Sequence, residues 1–405
     1  MAHPKSGLSK VRLQRLHDMV QGYVDRGEVA GAITAIHRHG KTHVDVVGQS
    51  DLKAKLPLQR DGIFRIASMS KPITAVAAMI LVEEGKLRLD EPVDRLLPEL
   101  ANRRVLNSLD ADLSDTTPAH RPLTLRDLLT FRLGWGMVMG PPGAPSPIQK
   151  AMNDAQLMGL KPFPPHNPDE WIKRLGELPL MHQPGERWMY HTGSDVAGVL
   201  IARAAGMPLE DFFKARIFAP LGMTDTGFAV EAHNLDRLGA CYQVNPKSGK
   251  LELFDEAGKK SQWASPPAFP MGGGGLASTV DDYLAFGRMM LNYGELDGER
   301  ILSRVTVETM TTDQLTPEQK AVSGFFPGFW DNTGWGFGMS VVTKRTDLHT
   351  TPGRFGWDGA FGTSWAADPK EDMTAVLMIQ RMGFGPSPAG INADFWTLAY
   401  QAIDD

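Results

Sequence analysis

The stretch Ile66-Ala67-Ser68-Met69-Ser70-Lys71-Pro72-Ile73-Thr74-Ala75-Val76-Ala77-Ala78-Met79-Ile80 limits what this chain can become more than any other. Ile63-Phe64-Arg65-Ile66 leads into it, and an apolar run continues to Gly85. Such a run reads as a buried helix with Ser68 at its N-terminus. Pro72 fits only in the first turn, where its missing N–H has no partner inside the helix anyway. Gly85 suits the position just past the end. Ser68 and Lys71 are three apart and share a helix face. A serine hydroxyl becomes a nucleophile only when something takes its proton. A buried lysine can do so, because desolvation lowers its pKa from about 10.4 toward neutrality. The helix N-terminus adds free N–H groups that suit a developing oxyanion. The same spacing at Ser50-Asp51-Leu52-Lys53 follows a strand-like run, opens no helix and reads as a turn.

A chain of 405 residues, 42% hydrophobic and 22% charged, can bury a sizeable core in two domains or one composite one. Its net charge of -5 disfavours nucleic acid or an anionic membrane as the main partner. The single cysteine, Cys241, excludes an internal disulfide and fits a reducing compartment. No apolar run reaches the roughly 18 residues of a membrane span. Met1 to Lys10 lacks the apolar core of a signal peptide. The expected location is the cytoplasm.

Strand-like and helical segments are unevenly placed. Residues 9–26 carry Leu13, Leu16, Val20, Tyr23 and Val24 at helical spacing, with Ser9 as N-cap and Gly27 as terminator. Residues 31–37 and 42–47 read as strands joined at Gly40. His37, His39 and His43 fall there, but a hairpin sends them to different faces and no ligand pattern surrounds them, so no metal is expected. Thr124 and Asp127 form a weak capping box before Leu125-Arg126-Asp127-Leu128-Leu129. Residues 134–185, with Gly140-Pro141-Pro142-Gly143-Ala144-Pro145, read as a long, loosely structured insertion of the kind that forms lids or binding walls. Its Met137, Met139, Met152, Met158 and Met181 either line an adaptable apolar pocket or fill core. Helices are expected over 194–205, 208–218 and 278–291. Gly272-Gly273-Gly274-Gly275 has no Gly-Lys-Ser/Thr behind it and reads as a tight backbone passage rather than a phosphate loop. Toward the C-terminus, Trp335 to Val342 alternates as a strand, 363–368 and 373–379 form a hairpin, and a helix spans about 391–403.

Strands at both chain ends with helices between predict an α+β fold: one antiparallel sheet assembled from both termini, flanked by helices, with an inserted mainly helical domain. The boundaries expected are 1–90 and 270–405 for the discontinuous sheet domain and 91–269 for the helical one.

Two further segments complete a candidate site. Tyr190, in Glu186-Arg187-Trp188-Met189-Tyr190-His191-Thr192-Gly193, can handle a second proton, since a nearby ammonium lowers a phenol's pKa from about 10. Phe355-Gly356-Trp357-Asp358-Gly359-Ala360-Phe361-Gly362 offers glycines for close backbone approach and a strand-edge N–H for an oxyanion hole.

Ser68-Met69-Ser70-Lys71, Tyr190-His191-Thr192 and Trp357-Asp358-Gly359, in that order, resemble the three motifs of the serine β-lactamase-like superfamily. The closest likeness is to the family VIII carboxylesterases, which are similar to class C β-lactamases and penicillin-binding proteins. The likeness extends to Leu123 through Thr130 and to Gly272 through Thr279. It implies a β-lactamase/transpeptidase-like fold and a metal-free serine esterase without cofactor, acting on small uncharged esters. It implies Ser68 as nucleophile, Lys71 as its activator and stabiliser of a Tyr190 phenolate, and Tyr190 as proton shuttle. Ser68 and Ala360 would hold the oxyanion, and Trp357, Asp358, Gly359 and Thr192 would border the substrate. Three departures stand out. Thr192 replaces the usual Asn, and Phe131-Arg132-Leu133-Gly134 replaces His-Thr-Ser-Gly. Trp357-Asp358-Gly359 replaces Lys-Thr-Gly. An Asp358 facing the site would repel a β-lactam carboxylate, so ester cleavage is expected to dominate. A β-lactamase, a D-amino-acid peptidase or amidase, and an acyltransferase are the alternatives on the same site. A non-catalytic ligand-binding domain is the alternative of another class. Gly-x-Ser-x-Gly is absent, which disfavours an α/β-hydrolase.

Overall fold

The computed structural model describes residues 6–138, 145–383 and 390–405. An eight-stranded antiparallel sheet forms its spine. The first three strands are β1 (Gly31–Arg38), β2 (Lys41–Asp51) and β3 (Leu56–Pro57). The other five are β4 (Thr333–Trp335), β5 (Ser340–Val342), β6 (Phe355–Asp358), β7 (Ser364–Asp368) and β8 (Met373–Ile379). Their order across the sheet is β4-β5-β6-β7-β8-β1-β2-β3. The two ends of the chain meet where β1 pairs with β8, from Ala32↔Ile379 to Arg38↔Met373.

Alternation sorts the strand residues onto two buried faces. Ala32, Ile36, Ala375 and Leu377 pack with Leu16 and Val20 of α1 (Lys10–Asp25) and with Phe395 and Ala399 of the terminal helix, Ile391–Gln401. Ile33, Ala35, Val376, Met378 and Trp365 face the other way. They meet Ile73 and Val76 of α2 (Ser70–Glu83) and Tyr283 and Phe286 of the helix Val280–Leu291. The sheet is therefore sandwiched between helical layers, and α2 is buried along nearly its whole length. Its end at Gly85 (φ +70°) is as the sequence expects.

The intervening segment carries α3 (Leu125–Leu129), α4 (Pro147–Asp154), α5 (Pro168–Glu177) and α6 (Thr192–Ala205), besides small hairpins. The Thr124–Asp127 capping box is present. The described residues of 134–185 hold more regular structure than their composition predicts. Pro147 and Pro168 start helices rather than break them. Gln149 accepts from the Ser146 N–H, and Asn167 caps Glu170. Trp135, Ile148, Trp171 and Leu175 join the main core, as do Met152 and Met181, which are core residues and not pocket lining. Met137 is exposed, and Met139 with Gly140–Ala144 lies outside the described residues.

The alternating stretch Trp335–Val342 is two short strands, not one. Gly338, at φ +71°, turns the chain against α2, where a Cβ would sit 2.8 Å from the Lys71 carbonyl oxygen. The hairpin of β7 and β8 forms as expected. Among the described residues no helix is long and apolar enough to cross a membrane, and no group of His, Cys, Asp or Glu could hold a metal ion.

Candidate active site

Ser68 sits in a tight 3-10 turn, Ala67–Met69, immediately before α2 rather than as its first α-helical residue. Ala67 holds φ +42°, an uncommon conformation for a residue with a Cβ. The surroundings fix this turn. The Ile66 N–H donates to the Leu276 carbonyl, Thr363 Oγ1 donates to the Ile66 carbonyl, and the Tyr283 hydroxyl donates to the Met69 carbonyl at 2.7 Å.

Lys71 Nζ lies 2.9 Å from Ser68 Oγ. The lysine is fully buried, and desolvation drives its pKa down to about 7, against an opposing pull from the Asp195 carboxylate. It also donates to the Gly273 carbonyl, lies 3.1 Å from His191 Nδ1 and sits 4.6 Å over the Tyr190 ring. The Tyr190 hydroxyl lies beside Ser68 and accepts from Trp357 Nε1 at 2.7 Å. Burial pushes that hydroxyl far above the ordinary tyrosine range. Desolvation favours the neutral hydroxyl over the phenolate that the resemblance implies.

Trp357 and Asp358 point to opposite sides of β6. Trp357 pairs across the sheet with Trp365, on the α2 face, and Asp358 pairs with Ser364. Asp358 accepts from Ser364 Oγ, which accepts from Trp396 Nε1 of the terminal helix. The carboxylate is thus turned toward Ser364 and the terminal helix, while its charge still pushes the Tyr190 hydroxyl upward. Gly359 lets the strand end lie on the nucleophile turn, because a Cβ there would collide with the Ile66 carbonyl and Thr363 Oγ1. Among the described residues the Ala360 N–H has no hydrogen-bond partner. Thr192 is buried with its Oγ1 unpartnered, so it does not replace the hydrogen bonds an amide would make.

Two features escape the sequence reading. One is the ring Lys71–His191–Asp195–Gly273: Asp195 Oδ2 lies 3.1 Å from His191 Nε2, and Asp195 Oδ1 accepts from the Gly273 N–H at 2.8 Å. The motif and the glycine run were both visible, but nothing in their spacing paired them. The other is an aromatic wall. Phe131, Trp188, Phe329, Trp335 and Trp357 cluster around Tyr190, and Phe325 lies edge-on to its ring at 4.8 Å. The signal was Phe325-Phe326-Pro327-Gly328-Phe329-Trp330. Phe131 fills the place of the histidine of His-Thr-Ser-Gly and meets Tyr190 edge-on at 5.8 Å.

A serine beside a buried lysine and a neutral tyrosine, on this sheet, defines a serine hydrolase of the β-lactamase-like esterase type. The Beta-lactamase family model matches residues 16–394, and the chain belongs to that family. Protein Rv1367c of Mycobacterium tuberculosis is 41% identical over 362 residues, 88% of this chain and 87% of that protein. Esterase EstB of Burkholderia gladioli is 32% identical over 370 residues, 86% of each chain. The solved structure of EstCE1, described as a hydrolase with promiscuous acyltransferase activity, superposes with a TM-score of 0.78. It is 23% identical, covers 97% of this chain and 98% of its own, and shows the same fold.

Proposed function

We propose that the protein is a carboxylesterase that hydrolyses small, short-chain, uncharged esters through an acyl-enzyme on Ser68. The observation that carries this reading is the 2.9 Å contact between Ser68 Oγ and the buried Lys71 Nζ. Neutral Lys71 takes the Ser68 proton as Oγ attacks the ester carbonyl. The N–H groups of Ser68 and Ala360 receive the oxyanion. On collapse the Tyr190 hydroxyl gives its proton to the leaving alkoxide, and the Lys71 ammonium passes the proton taken from Ser68 on to the Tyr190 phenolate so formed. Water then enters by the same route in reverse and releases the acid. Gly359 brings the two N–H groups together, and the aromatic wall with segment 134–185 sets acyl preference.

The acyltransferase reading is kept for one observation: the aromatic wall over Tyr190 can seat an apolar acceptor where water would otherwise sit. It is also what the description of EstCE1 says of that protein. A β-lactamase reading is weaker, because the third motif carries Trp357 where a lysine would meet a β-lactam carboxylate. The compartment proposed is the cytoplasm, on the lone buried Cys241.

The test is intact-mass spectrometry and turnover with p-nitrophenyl butyrate and with a penicillin, with and without an added alcohol. Ester turnover that disappears in Ser68→Ala, with slow or no clearance of penicillin, supports the esterase. Fast clearance of a penicilloyl adduct replaces it with a β-lactamase. Ester product in place of acid when alcohol is added favours acyl transfer. Unchanged turnover in Ser68→Ala ends the assignment.

A further inference from the structure

The segment before α6 is bent in an unusual way. His191 adopts φ 90°, ψ -65°, a conformation that strains a residue with a Cβ. In an extended chain Tyr190 and His191 would point to opposite sides. The bend instead brings both rings to the same centre, their centroids 6.0 Å apart, with Lys71 Nζ against each. The imidazole is buried and tied at both ends. Nδ1 faces Lys71 at 3.1 Å, and Nε2 faces Asp195 Oδ2 at 3.1 Å.

These contacts define one tautomer. A carboxylate beside Nε2 holds the proton there and leaves the Nδ1 lone pair for Lys71. A neutral amine has two N–H donors and one lone pair. Gly273 O and His191 Nδ1 take the two donors, so the lone pair is aimed at the remaining neighbour, Ser68 Oγ. Asp195 is fixed by the Gly273 N–H, and a Cβ at Gly273 would lie 2.9 Å from Asp195 Oδ1 and displace the carboxylate. Thr192, the neighbouring motif residue, makes no such contact.

We propose that His191, oriented by Asp195, is a positioning residue that aims the Lys71 lone pair at Ser68. The proposal rests on the serine-hydrolase reading of this site but not on the ester as substrate. The titratable groups that face the imidazole are Lys71 from α2, Asp195 from α6 and Tyr190 from the segment before it. The glycine passage contributes backbone only.

A fluorophosphonate probe tests it without any ester. Ser68 Oγ bonds to phosphorus, the P–F bond breaks, fluoride leaves, and the serine proton passes to Lys71. The rate of Ser68 labelling, followed by intact mass from pH 5 to 9, should rise with pH through a single limb in the wild type. His191→Ala should lower the plateau at least tenfold, and His191→Asn, which keeps a carbonyl acceptor, should recover most of it. Asp195→Asn removes the carboxylate that favours the Lys71 ammonium, so its limb should move to lower pH with a reduced plateau. Asp195→Asn is nearly isosteric and serves alone should His191→Ala fail to fold. A His191→Ala plateau within twofold of wild type overturns the proposal. So does a slower Asp195→Asn whose limb stays in place, which is what a purely structural role gives. If wild type labels at Ser68 but turns over no ester, the ester reading fails and the same limb still decides the His191 assignment.

Discussion

Trp357 Nε1 donates a hydrogen bond of 2.7 Å to the Tyr190 hydroxyl. The indole therefore takes one lone pair of the tyrosine oxygen and leaves its own proton free to be donated. Trp357→Phe keeps the apolar wall but removes this donor. One hydrogen bond is worth about 1 kcal/mol, so kcat should fall roughly five- to tenfold with KM nearly unchanged. Steady-state kinetics on an aryl ester checks this, and a changed KM with intact kcat would assign Trp357 to substrate binding instead.

Lys71 gives a pH dependence with a definite sign. Burial lowers it from 10.5 to about 7, and only the neutral amine can take the serine proton. Turnover should therefore rise as pH passes upward through about 7. Stability follows the same direction. Between about 7 and 10.5 the unfolded chain holds a proton that the folded chain has lost, so folding is favoured as pH rises. Lys71→Met should abolish turnover yet unfold at or above the wild-type temperature at pH 6, because it removes a buried charge. Calorimetry at pH 6 and pH 9 reads the difference.

The strand that leads into the nucleophile turn is anchored by a buried ion pair. Arg65 and Asp255 are both nearly fully buried, 2.6 Å apart, and Lys161 reaches the same carboxylate from segment 134–185. Asp255→Ala leaves the Arg65 guanidinium buried without its counter-charge. The expected loss is about 3–5 kcal/mol in chemical denaturation, since breaking one side of such a pair costs far more than the pair contributes.

Gly359→Ala tests the proposed oxyanion geometry. The added methyl would have to displace the Ile66 carbonyl or Thr363 Oγ1, and with it the spacing between the Ser68 and Ala360 N–H groups. Removal of one oxyanion donor costs about 100- to 1000-fold in kcat. A loss near the lower end, with ester KM within threefold of wild type, is the outcome expected from stopped-flow acylation.

The sheet and its helices were legible because their signals are local. The turn at Pro369-Lys370-Glu371-Asp372 between two apolar runs gives β7 and β8, the run after Lys71 gives α2, and Thr124 with Asp127 gives the start of α3. The serine, lysine and tyrosine were legible because each lies in a recognisable ordered motif. What stayed hidden depends on long-range placement. The pairing of Asp358 with Ser364, which turns the carboxylate toward the terminal helix, depends on strand register. The ring of Lys71, His191, Asp195 and Gly273 joins three separate segments. The helices that start at Pro147 and Pro168 do not show in the sequence, because a proline at a helix start and one in a loop look alike until the cap is seen.

Thr192 offers the sharpest contrast between motif and structure. The family pattern places an amide there, and this chain offers a hydroxyl. Thr192 Oγ1 is buried with no partner among the described residues, while His191 Nδ1 occupies the place beside Lys71. A buried unpaired hydroxyl costs about 1–3 kcal/mol. Thr192→Val has nearly the same shape and suits the same backbone, so it should leave kcat and KM within twofold and raise the unfolding temperature by a few degrees. A large loss of activity would mean that the hydroxyl meets the substrate during turnover, and would return Thr192 to the role the motif gives it.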